Sequence, residues 1–551
     1  MTPGLREFPN QPSLPQPVKG TANIKEQQAH AYDISSGVDQ IHNACVWTVP
    51  ESSLVEVLNT LYHCGLGDID YSCRAEGLRF LFRGKHNNKL LRGPGEPPNV
   101  KYPPEEWFSQ KLDHFKPTDG RTWNQRYYTN STFYRPGGPA FLMIGGEGPI
   151  GLGWMLYGQW IELAKIHGAI CFQLEHRFYG KSHPTPNMTV ENIAYLSSEQ
   201  ALSDLAYFIE SKSLAYNMDG NKWIVFGGSY PGSLAAWARL KYPHLVYGAV
   251  SSSGPLLAKA DFKEYMEVVQ NSIATYSEKC LTEIDTATKQ IKSALEVGGA
   301  QENITEMFRL CEPLNINNKN DVSNFFELLA DNWAYVVQYN PYNGRINHPK
   351  AITVGIRSAC QVMTADDGKT SLQRYAALNS VIMNSLGESC LDPSYDNYIS
   401  LIKDIAFGDE NSMDLVRQWT YQTCSEFGFF QTSNSSAQPF GRDFQLNFFI
   451  QQCMDIFGDM FDGKFLNSAI NRTNIFYGGT GIQASRIIFV QGSIDPWHAL
   501  GVTKSLSPDS PAIYINGTSH CADMMPSYPS DPPQLKSAHE EIRQTLSQWL
   551  N

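Results

Sequence analysis

The chain has 551 residues, of which 42% are hydrophobic, and it carries a formal net charge of −12. By the usual size of domains, this length corresponds to about two to four structural units. An acidic balance argues against nucleic acids and anionic membranes as partners, because both require basic patches. The sequence also lacks the run of about eighteen apolar residues that a membrane-spanning helix needs.

The first hundred residues contain no recognisable functional motif. Residues 1–30 are rich in Pro and Gln and are predicted to be disordered, and residues 93–98 have the composition of a linker. The start of the chain has no apolar stretch of the kind found in signal peptides. We therefore assign residues 1–100 to an N-terminal extension of unknown role that is partly disordered.

Residues 101–260 are predicted to form the first part of an α/β core that opens with antiparallel strands. Strands of buried type at 140–144, 169–174 and 223–226 alternate with helical patterns, and Ser197 begins a capping box. Strands that alternate with helices predict a mostly parallel sheet covered by helices on both faces. The expected fold is therefore of the α/β class.

A candidate nucleophile follows the predicted strand 223–226. The next residues, 227–232, have the sequence GGSYPG, and a helix is predicted at 234–242. A serine on a strand-to-helix turn exposes its hydroxyl, and small neighbours permit the strained backbone. The usual pattern is G-x-S-x-G, whereas this chain has Pro231 in the fifth position, so an incidental serine in a glycine-rich turn is the alternative. Ser229 is the predicted nucleophile.

Two further strand ends supply the partners that a serine nucleophile requires. The predicted strand 486–490 precedes Asp495, and the predicted strand 512–515 precedes His520. The order Ser, Asp, His along the chain is that of the α/β-hydrolase triad. His520 is therefore predicted to accept the proton of Ser229, and Asp495 to orient the imidazole ring.

Other residues compete for these roles. His498 lies three residues after Asp495 on the same loop and is the weaker candidate for the base. Asp523 is an alternative acid if its loop folds back, although a solvated loop position is the simpler interpretation. His176 and Arg177 follow a buried strand and are expected to form a structural polar cluster beside the site.

Two backbone N–H groups are expected to bind the oxyanion of the reaction. One belongs to Tyr230, and the other to the glycine-rich loop after an earlier strand, at Gly146 or Glu147. The Glu147 side chain either binds a substrate ammonium group or pairs with Arg177. Trp497 either lines the substrate pocket as a flat apolar wall or belongs to the core.

The chain between Ser229 and Asp495 is far longer than the connection between those two loops requires. We therefore predict an inserted helical cap at 261–480, after which residues 481–551 complete the core. A cap narrows a site and restricts a peptidase to short peptides or chain ends. Helical patterns in the insertion occur at 261–270, 283–297, 321–338, 371–386 and 414–419.

Cysteines and glycosylation sequons indicate the secretory route, with a secreted or lysosomal location. Six of the eleven cysteines lie between residues 280 and 453, and their spacing is unlike that of zinc ligands. Disulfides are therefore expected in the insertion, with pairing that the sequence leaves open, and no metal site is predicted. The sequons begin at Asn130, Asn187, Asn303, Asn434, Asn471 and Asn516.

Several separated motifs resemble a family of serine exopeptidases. They are GGSYPG at 227–232, EHRFYG at 175–180, SEQAL at 198–202, DPW at 495–497 and SHCADM at 519–524. The family includes lysosomal Pro-X carboxypeptidase, lysosomal proline dipeptidyl peptidase and thymus-specific serine protease, and the chain looks most similar to the thymus-specific branch. This resemblance implies an α/β-hydrolase fold with a helical cap and a peptidase that acts at chain ends, often next to proline. By position, Ser229, Asp495 and His520 match the triad of that family.

The sequence thus predicts a serine exopeptidase that acts on peptides without a cofactor. The preferred chain end stays open, because a carboxypeptidase must bind a carboxylate and an aminopeptidase an ammonium group. An ester or lipid hydrolase on the same fold and a non-catalytic binding relative are the alternatives. A homodimer is compatible with the sequence, although no motif indicates one.

Overall fold

The computed structural model describes residue 94 and residues 100–297, 301–341, 354–408 and 416–551. The predicted N-terminal extension lies almost entirely outside these described residues, so its predicted disorder and linker stay predictions. Within the described residues, every helix is too short or too polar to cross a bilayer.

Ten strands are present in the described residues: β1 (Glu106–Lys111), β2 (Thr122–Asn130), β3 (Ala140–Ile144), β4 (Ile170–Leu174), β5 (Trp223–Gly228), β6 (Val246–Ser252), β7 (Lys259–Asp261), β8 (Gly428–Phe430), β9 (Ile487–Gly492) and β10 (Ala512–Ile515). Eight of them form one sheet in the order β1-β2-β4-β3-β5-β6-β9-β10. β2 is antiparallel to β1 and β4, and the other neighbours in this sheet are parallel. β7 and β8 form a separate parallel pair. The predicted mostly parallel sheet with antiparallel opening strands is confirmed.

The central strands are apolar along their whole length because both faces of the sheet are covered. Every residue of β3, β4 and β5 is buried. Alternate side chains of β3 enter different cores: Leu142 and Ile144 belong to one cluster, and Phe141 and Met143 to the other. This two-sided burial explains the continuous apolar runs in the sequence.

Five helices accompany the sheet, and those after Ser197 and Ser229 begin close to their predicted positions. The Ser197 hydroxyl accepts the N–H of Gln200, as expected of an N-cap, but the Gln200 side chain accepts the His114 N–H, so the reciprocal half of the predicted capping box is absent. The helix after the candidate nucleophile begins at Tyr230, earlier than the predicted start at 234. These helices are Gln159–His167, Val190–Ile193, Ser198–Ala215, Tyr230–Lys241 and Pro533–Leu550.

The chain between β6 and β9, which are neighbours in the sheet, is mainly helical. All five helical patterns predicted there overlap a helix, whereas the helices at 301–307, 356–363, 395–403, 446–457 and 463–477 were not predicted. The helices of this insertion are Glu264–Ala274, Glu278–Glu296, Gln301–Met307, Lys319–Gln338, Ile356–Met363, Ser371–Leu386, Tyr395–Lys403, Val416–Gln422, Leu446–Phe457 and Gly463–Tyr477.

The six cysteines of the insertion form three disulfides. The pairs are Cys280–Cys360, Cys311–Cys390 and Cys424–Cys453. The structure therefore confirms the expected disulfides and defines their pairing. Each bond closes a loop within the insertion and so limits the conformations of its unfolded chain.

One predicted glycosylation site is incompatible with the fold. Asn130 is 7% exposed at the end of β2, and its side-chain nitrogen donates to the Met155 carbonyl at 2.7 Å. A glycan would replace one hydrogen of that nitrogen and would require space that the surrounding buried residues occupy. The remaining sequons are at Asn187, which is half-buried, and at Asn303, Asn434, Asn471 and Asn516, which are exposed.

Candidate active site

Ser229 occupies a strained turn between β5 and the helix Tyr230–Lys241. Its φ is 65° and its ψ is −135°, a conformation that non-glycine residues rarely adopt. A Cβ on Gly227 would lie 2.0 Å from the Pro231 carbonyl oxygen, and one on Gly232 would lie 2.6 Å from the Ser252 carbonyl oxygen. Glycine is therefore required at 227 and 232, whereas Pro231 lies in the first turn of the helix, where proline is tolerated.

Asp495 and His520 are joined by a hydrogen bond at the ends of the adjacent parallel strands β9 and β10. The His520 Nδ1 lies 2.8 Å from Asp495 Oδ2, and both side chains are almost completely buried. The other carboxylate oxygen of Asp495 accepts the backbone N–H of Trp497 at 3.0 Å. A neutral imidazole that donates from Nδ1 presents Nε2 as an acceptor. This Nε2 is buried and has no hydrogen-bond partner among the described residues.

The loop after β6 connects the Ser229 turn with the His520 loop. The Ser229 N–H donates to the Ser252 carbonyl at 2.9 Å, and the Cys521 N–H donates to the Ser253 hydroxyl at 2.9 Å. Ser229 and the residue after His520 are therefore held by two consecutive residues of one loop. The three residues of the predicted triad lie at the same edge of the sheet.

The pKa of His520 is raised well above its ordinary value. Burial alone lowers this pKa, because it disfavours the charged ring, but the charge of Asp495 and its hydrogen bond outweigh that effect. The neighbouring Cys521 thiol adds to the rise. The Asp495 carboxylate thus favours an imidazolium ion at this position, which is the state that a proton-accepting base must reach.

Glu147 lies beside both Ser229 and His520. Burial raises the pKa of its carboxyl group to about 7, while a hydrogen bond with Ser229 and the charge of His520 lower it. The predicted pairing with Arg177 is wrong, because that guanidinium binds Asp204 at 2.6 and 2.7 Å. Glu147 is therefore a half-buried residue whose carboxyl group lies beside the candidate nucleophile without Arg177 as a counterion.

The glycine-rich loop after β3 packs directly against the helix that begins at Tyr230. A Cβ on Gly146 would lie 2.3 Å from the Pro231 ring, so only glycine permits this approach. The Tyr230 N–H belongs to the first residue of its helix and has no acceptor within that helix. The two predicted sources of oxyanion donors therefore lie on neighbouring segments.

A buried polar network holds the Tyr230 side chain. Its hydroxyl lies 3.1 Å from His176 Nε2 and accepts the Gln422 amide at 3.0 Å, and the Tyr179 hydroxyl donates to Gln422 Oε1 at 2.6 Å. The His176 Nδ1 donates to the Arg177 carbonyl at 2.7 Å. Burial lowers the pKa of His176 to about 4, so the ring is neutral and supports the structure. The polar cluster was predicted, whereas its partner Gln422 in the insertion was not.

His498 and Asp523, the alternatives for the base and the acid, have other hydrogen-bond partners. The His498 Nδ1 lies 2.7 Å from the backbone carbonyl of Asp495 and makes no hydrogen bond with its carboxylate. Asp523 is 2% exposed and accepts the Ser252 hydroxyl at 2.5 Å, so its interpretation as a solvated loop residue is wrong. Asp495 bonds only one of the two candidate histidines through its side chain, and that histidine is His520.

Trp497 lies in the core and does not form an open wall of a pocket. It is 8% exposed, its indole N–H donates to Gln338 Oε1 at 3.1 Å, and its ring contacts Phe262, Tyr265 and Phe429. Of the two interpretations from the sequence, the structure favours the core. Among the described residues, no group of three or more His, Cys, Asp or Glu side chains is arranged to hold a metal ion.

The sheet order, the strained serine turn and the paired Asp and His at adjacent strand ends define an α/β-hydrolase. The family model described as "Serine carboxypeptidase S28" matches residues 110–542. The chain therefore belongs to this family and is a serine peptidase, as the resemblance predicted.

Its relatives include two of the three proteins that the sequence motifs resemble. Thymus-specific serine protease of Mus musculus is 37% identical over 473 residues, which cover 84% of this chain and 89% of that protein. The Homo sapiens protein of the same name is 35% identical over 474 residues, with 84% and 89% covered. Lysosomal Pro-X carboxypeptidase of Mus musculus is 29% identical over 473 residues, with 81% and 88% covered.

Proposed function

We propose that this protein is a serine exopeptidase in which Ser229, His520 and Asp495 are the nucleophile, the base and the orienting acid. The observation that carries the proposal is the buried 2.8 Å bond between Asp495 and His520 Nδ1, which leaves Nε2 free to accept a proton. The Ser229 hydroxyl would supply that proton. Ser229 lies on a strained turn, and its N–H donates to the carbonyl of Ser252.

The reaction would proceed through an acyl-enzyme. The Ser229 oxygen attacks the substrate carbonyl carbon, and its proton passes to His520 Nε2. The carbonyl oxygen becomes an oxyanion that accepts hydrogen bonds from the N–H groups of Tyr230 and of Gly146 or Glu147. The C–N bond then breaks as His520 returns the proton to the leaving amine. Water, activated by the same imidazole, hydrolyses the ester in the second half of the reaction.

Different observations support the two possible chain-end preferences. A preference for the carboxyl end is supported by the family description and by the name of the mouse relative, Pro-X carboxypeptidase. A preference for the amino end is supported by Glu147, a carboxyl group beside Ser229 that Arg177 does not neutralise. An ionised Glu147 would bind the ammonium group of a substrate.

We also propose that the protein travels through the secretory pathway to the lysosome or the cell exterior. Three disulfides in the insertion require an oxidising compartment for their formation. Glycans would attach to the accessible sequons, and treatment with a glycosidase should then reduce the mass of the protein from a eukaryotic host. The predicted division into core segments and a cap at 261–480 is retained as a proposal.

A panel of substrates tests the proposal and decides the chain end. It consists of a fluorogenic dipeptide with a free amino group, an N-blocked peptide with a free carboxylate, an N-blocked peptide amide and a short-chain nitrophenyl ester. Each is assayed from acidic to neutral pH with the wild type and with Glu147→Gln. An aminopeptidase requires the free amine and loses affinity in Glu147→Gln, whereas a carboxypeptidase requires the free carboxylate. Hydrolysis of the ester alone would refute peptidase activity.

A further inference from the structure

The end of the helix Lys319–Gln338 contacts both loops that carry the proposed acid and base. Gln338 is the last residue of this helix and is 3% exposed. Its backbone carbonyl accepts the N–H of His520 at 3.0 Å. Its side-chain Oε1 accepts the indole N–H of Trp497, two residues after Asp495, at 3.1 Å. One residue of the insertion thus bonds to the loops after β9 and β10.

The orientation of the Gln338 carboxamide is fixed by its partners. An indole N–H can only donate, so the atom that faces Trp497 must be the amide oxygen. The same oxygen accepts the Tyr265 hydroxyl at 2.6 Å. Because these groups are buried, loss of the acceptor would leave two donors without a hydrogen-bond partner.

The bonds around Gln338 form a closed ring that includes the proposed acid and base. The carboxamide oxygen binds the indole of Trp497, whose backbone N–H donates to Asp495 Oδ1 at 3.0 Å. The other oxygen of Asp495 binds the imidazole of His520 at 2.8 Å. The backbone N–H of His520 returns to the carbonyl of Gln338 at 3.0 Å. Two neighbouring contacts support this closed set of hydrogen bonds. The Ser519 hydroxyl donates to the Asn340 carbonyl, and the aromatic side chains of Tyr339 and His520 pack edge to face.

We propose that Gln338 is a positioning residue of the insertion that holds the Asp495 and His520 loops in their reactive arrangement. The proposal rests on the proposed function of these two residues. Gln338 acts through Trp497 and through the backbone of His520, and takes no part in bond making. The insertion is then required for the geometry of the base. Misplacement of a catalytic group by about 1 Å can cost about a hundredfold in rate.

Two substitutions at this position separate positioning from mere packing. Gln338→Glu keeps an oxygen acceptor for Trp497 whether the new carboxyl group is charged or neutral. Gln338→Met keeps the length of the side chain but removes the acceptor. We expect Gln338→Met to lower kcat about ten- to a hundredfold with KM within about threefold, and Gln338→Glu to restore most of kcat. The kcat of both variants is measured at saturating substrate, and their Tm is measured by thermal unfolding.

A matched pair of variants tests the ring without changing Gln338. Trp497→Phe removes the indole donor that leads to Asp495, whereas Tyr265→Phe removes the other donor to the same oxygen. We expect kcat to fall in Trp497→Phe and to stay near the wild-type value in Tyr265→Phe. This pair also decides the question if Gln338→Met does not fold.

The proposal is overturned if Gln338→Met keeps kcat within twofold of the wild type, or if only KM changes. Equal kcat in Trp497→Phe and Tyr265→Phe would also overturn it. These failures are distinct from failure of the proposed function, which would appear as full activity in Ser229→Ala or His520→Ala.

Discussion

At the scale of single residues, the choice between two histidines on neighbouring loops is decided by their partners. His520 bonds the buried carboxylate of Asp495, whereas His498 bonds only a backbone carbonyl. His520→Ala should lower kcat about 10⁵- to 10⁶-fold, because triad residues act as a unit. His498→Ala should lower it less than about tenfold. A dead His498→Ala and an active His520→Ala would reverse the assignment of the base.

Asp495→Asn tests the cause of the raised His520 pKa. The carboxylate raises this pKa against the opposing effect of burial, so its neutralisation should lower the pKa. Because the base must be neutral to accept a proton, the acid limb of kcat/KM against pH should move to lower pH in the variant. We expect kcat to fall about 10⁴-fold, as in other triads whose aspartate is replaced by asparagine. An acid limb at the same or higher pH would contradict the charge of Asp495 as the cause.

At the scale of elements, a buried carboxyl group joins the insertion to a helix of the core. Glu426, in the π-helical segment Thr423–Phe427, accepts the Ser198 N–H at 3.0 Å and the Ser198 hydroxyl at 2.6 Å. Ser198 is the first residue of the helix Ser198–Ala215, whose N-terminus favours a hydrogen-bond acceptor. Burial nevertheless raises the pKa of Glu426 from 4.5 to about 7. The contact should therefore stabilise the protein in a pH-dependent way.

Glu426→Gln should reduce the pH dependence of stability. The folded state holds the Glu426 proton more tightly than the unfolded chain, so its contribution is complete below pH 4.5 and is lost as pH rises through about 7. The change is on the order of 3 kcal/mol across this window. The Tm difference between wild type and variant should thus vary with pH from 4 to 8. The control is Glu210→Gln, an exposed position on the helix Ser198–Ala215. A Tm difference for Glu426→Gln that stays constant with pH would contradict the account.

The sequence identified the residues at strand ends but missed those contributed by the insertion. Ser229 and Asp495 each follow a buried apolar strand, and His520 follows the short, partly exposed strand β10. This local pattern is visible without the fold. Gln338 and Gln422 lie on helices where nothing in the neighbouring sequence distinguishes them from other polar residues. Their roles arise from contacts with residues far away in the chain, so only the tertiary structure assigns them.

Some wrong predictions also arise from contacts between residues that are far apart in the chain. The sequence allowed Glu147 to pair with Arg177, but it could not show that Asp204, on the helix Ser198–Ala215, binds both Nε and Nη2 of that guanidinium. It likewise placed Asp523 in solvent, because the burial of a loop depends on the loops that cover it. The five unpredicted helices of the insertion also pack in a large shared core, where tertiary contacts determine which segments become helical.

At the scale of the whole molecule, the parallel sheet brings together residues that are far apart in sequence. β5, β6, β9 and β10 are consecutive in the sheet, so the loops after their carboxyl ends meet at one edge. The insertion between β6 and β9 leaves this arrangement unbroken and adds Gln338 and Gln422 to its surroundings. A single site made from three distant segments is the central claim.

Active-site labelling tests this claim most directly. A fluorophosphonate probe phosphonylates a serine only when a base and an oxyanion site activate it, and peptide mass spectrometry locates the adduct. We predict one adduct, on Ser229, in the wild type, much slower labelling in His520→Ala and no labelling in Ser229→Ala, which should also lose about a millionfold in kcat with its Tm retained. An adduct on another serine, or peptidase activity that survives in Ser229→Ala, would contradict the account.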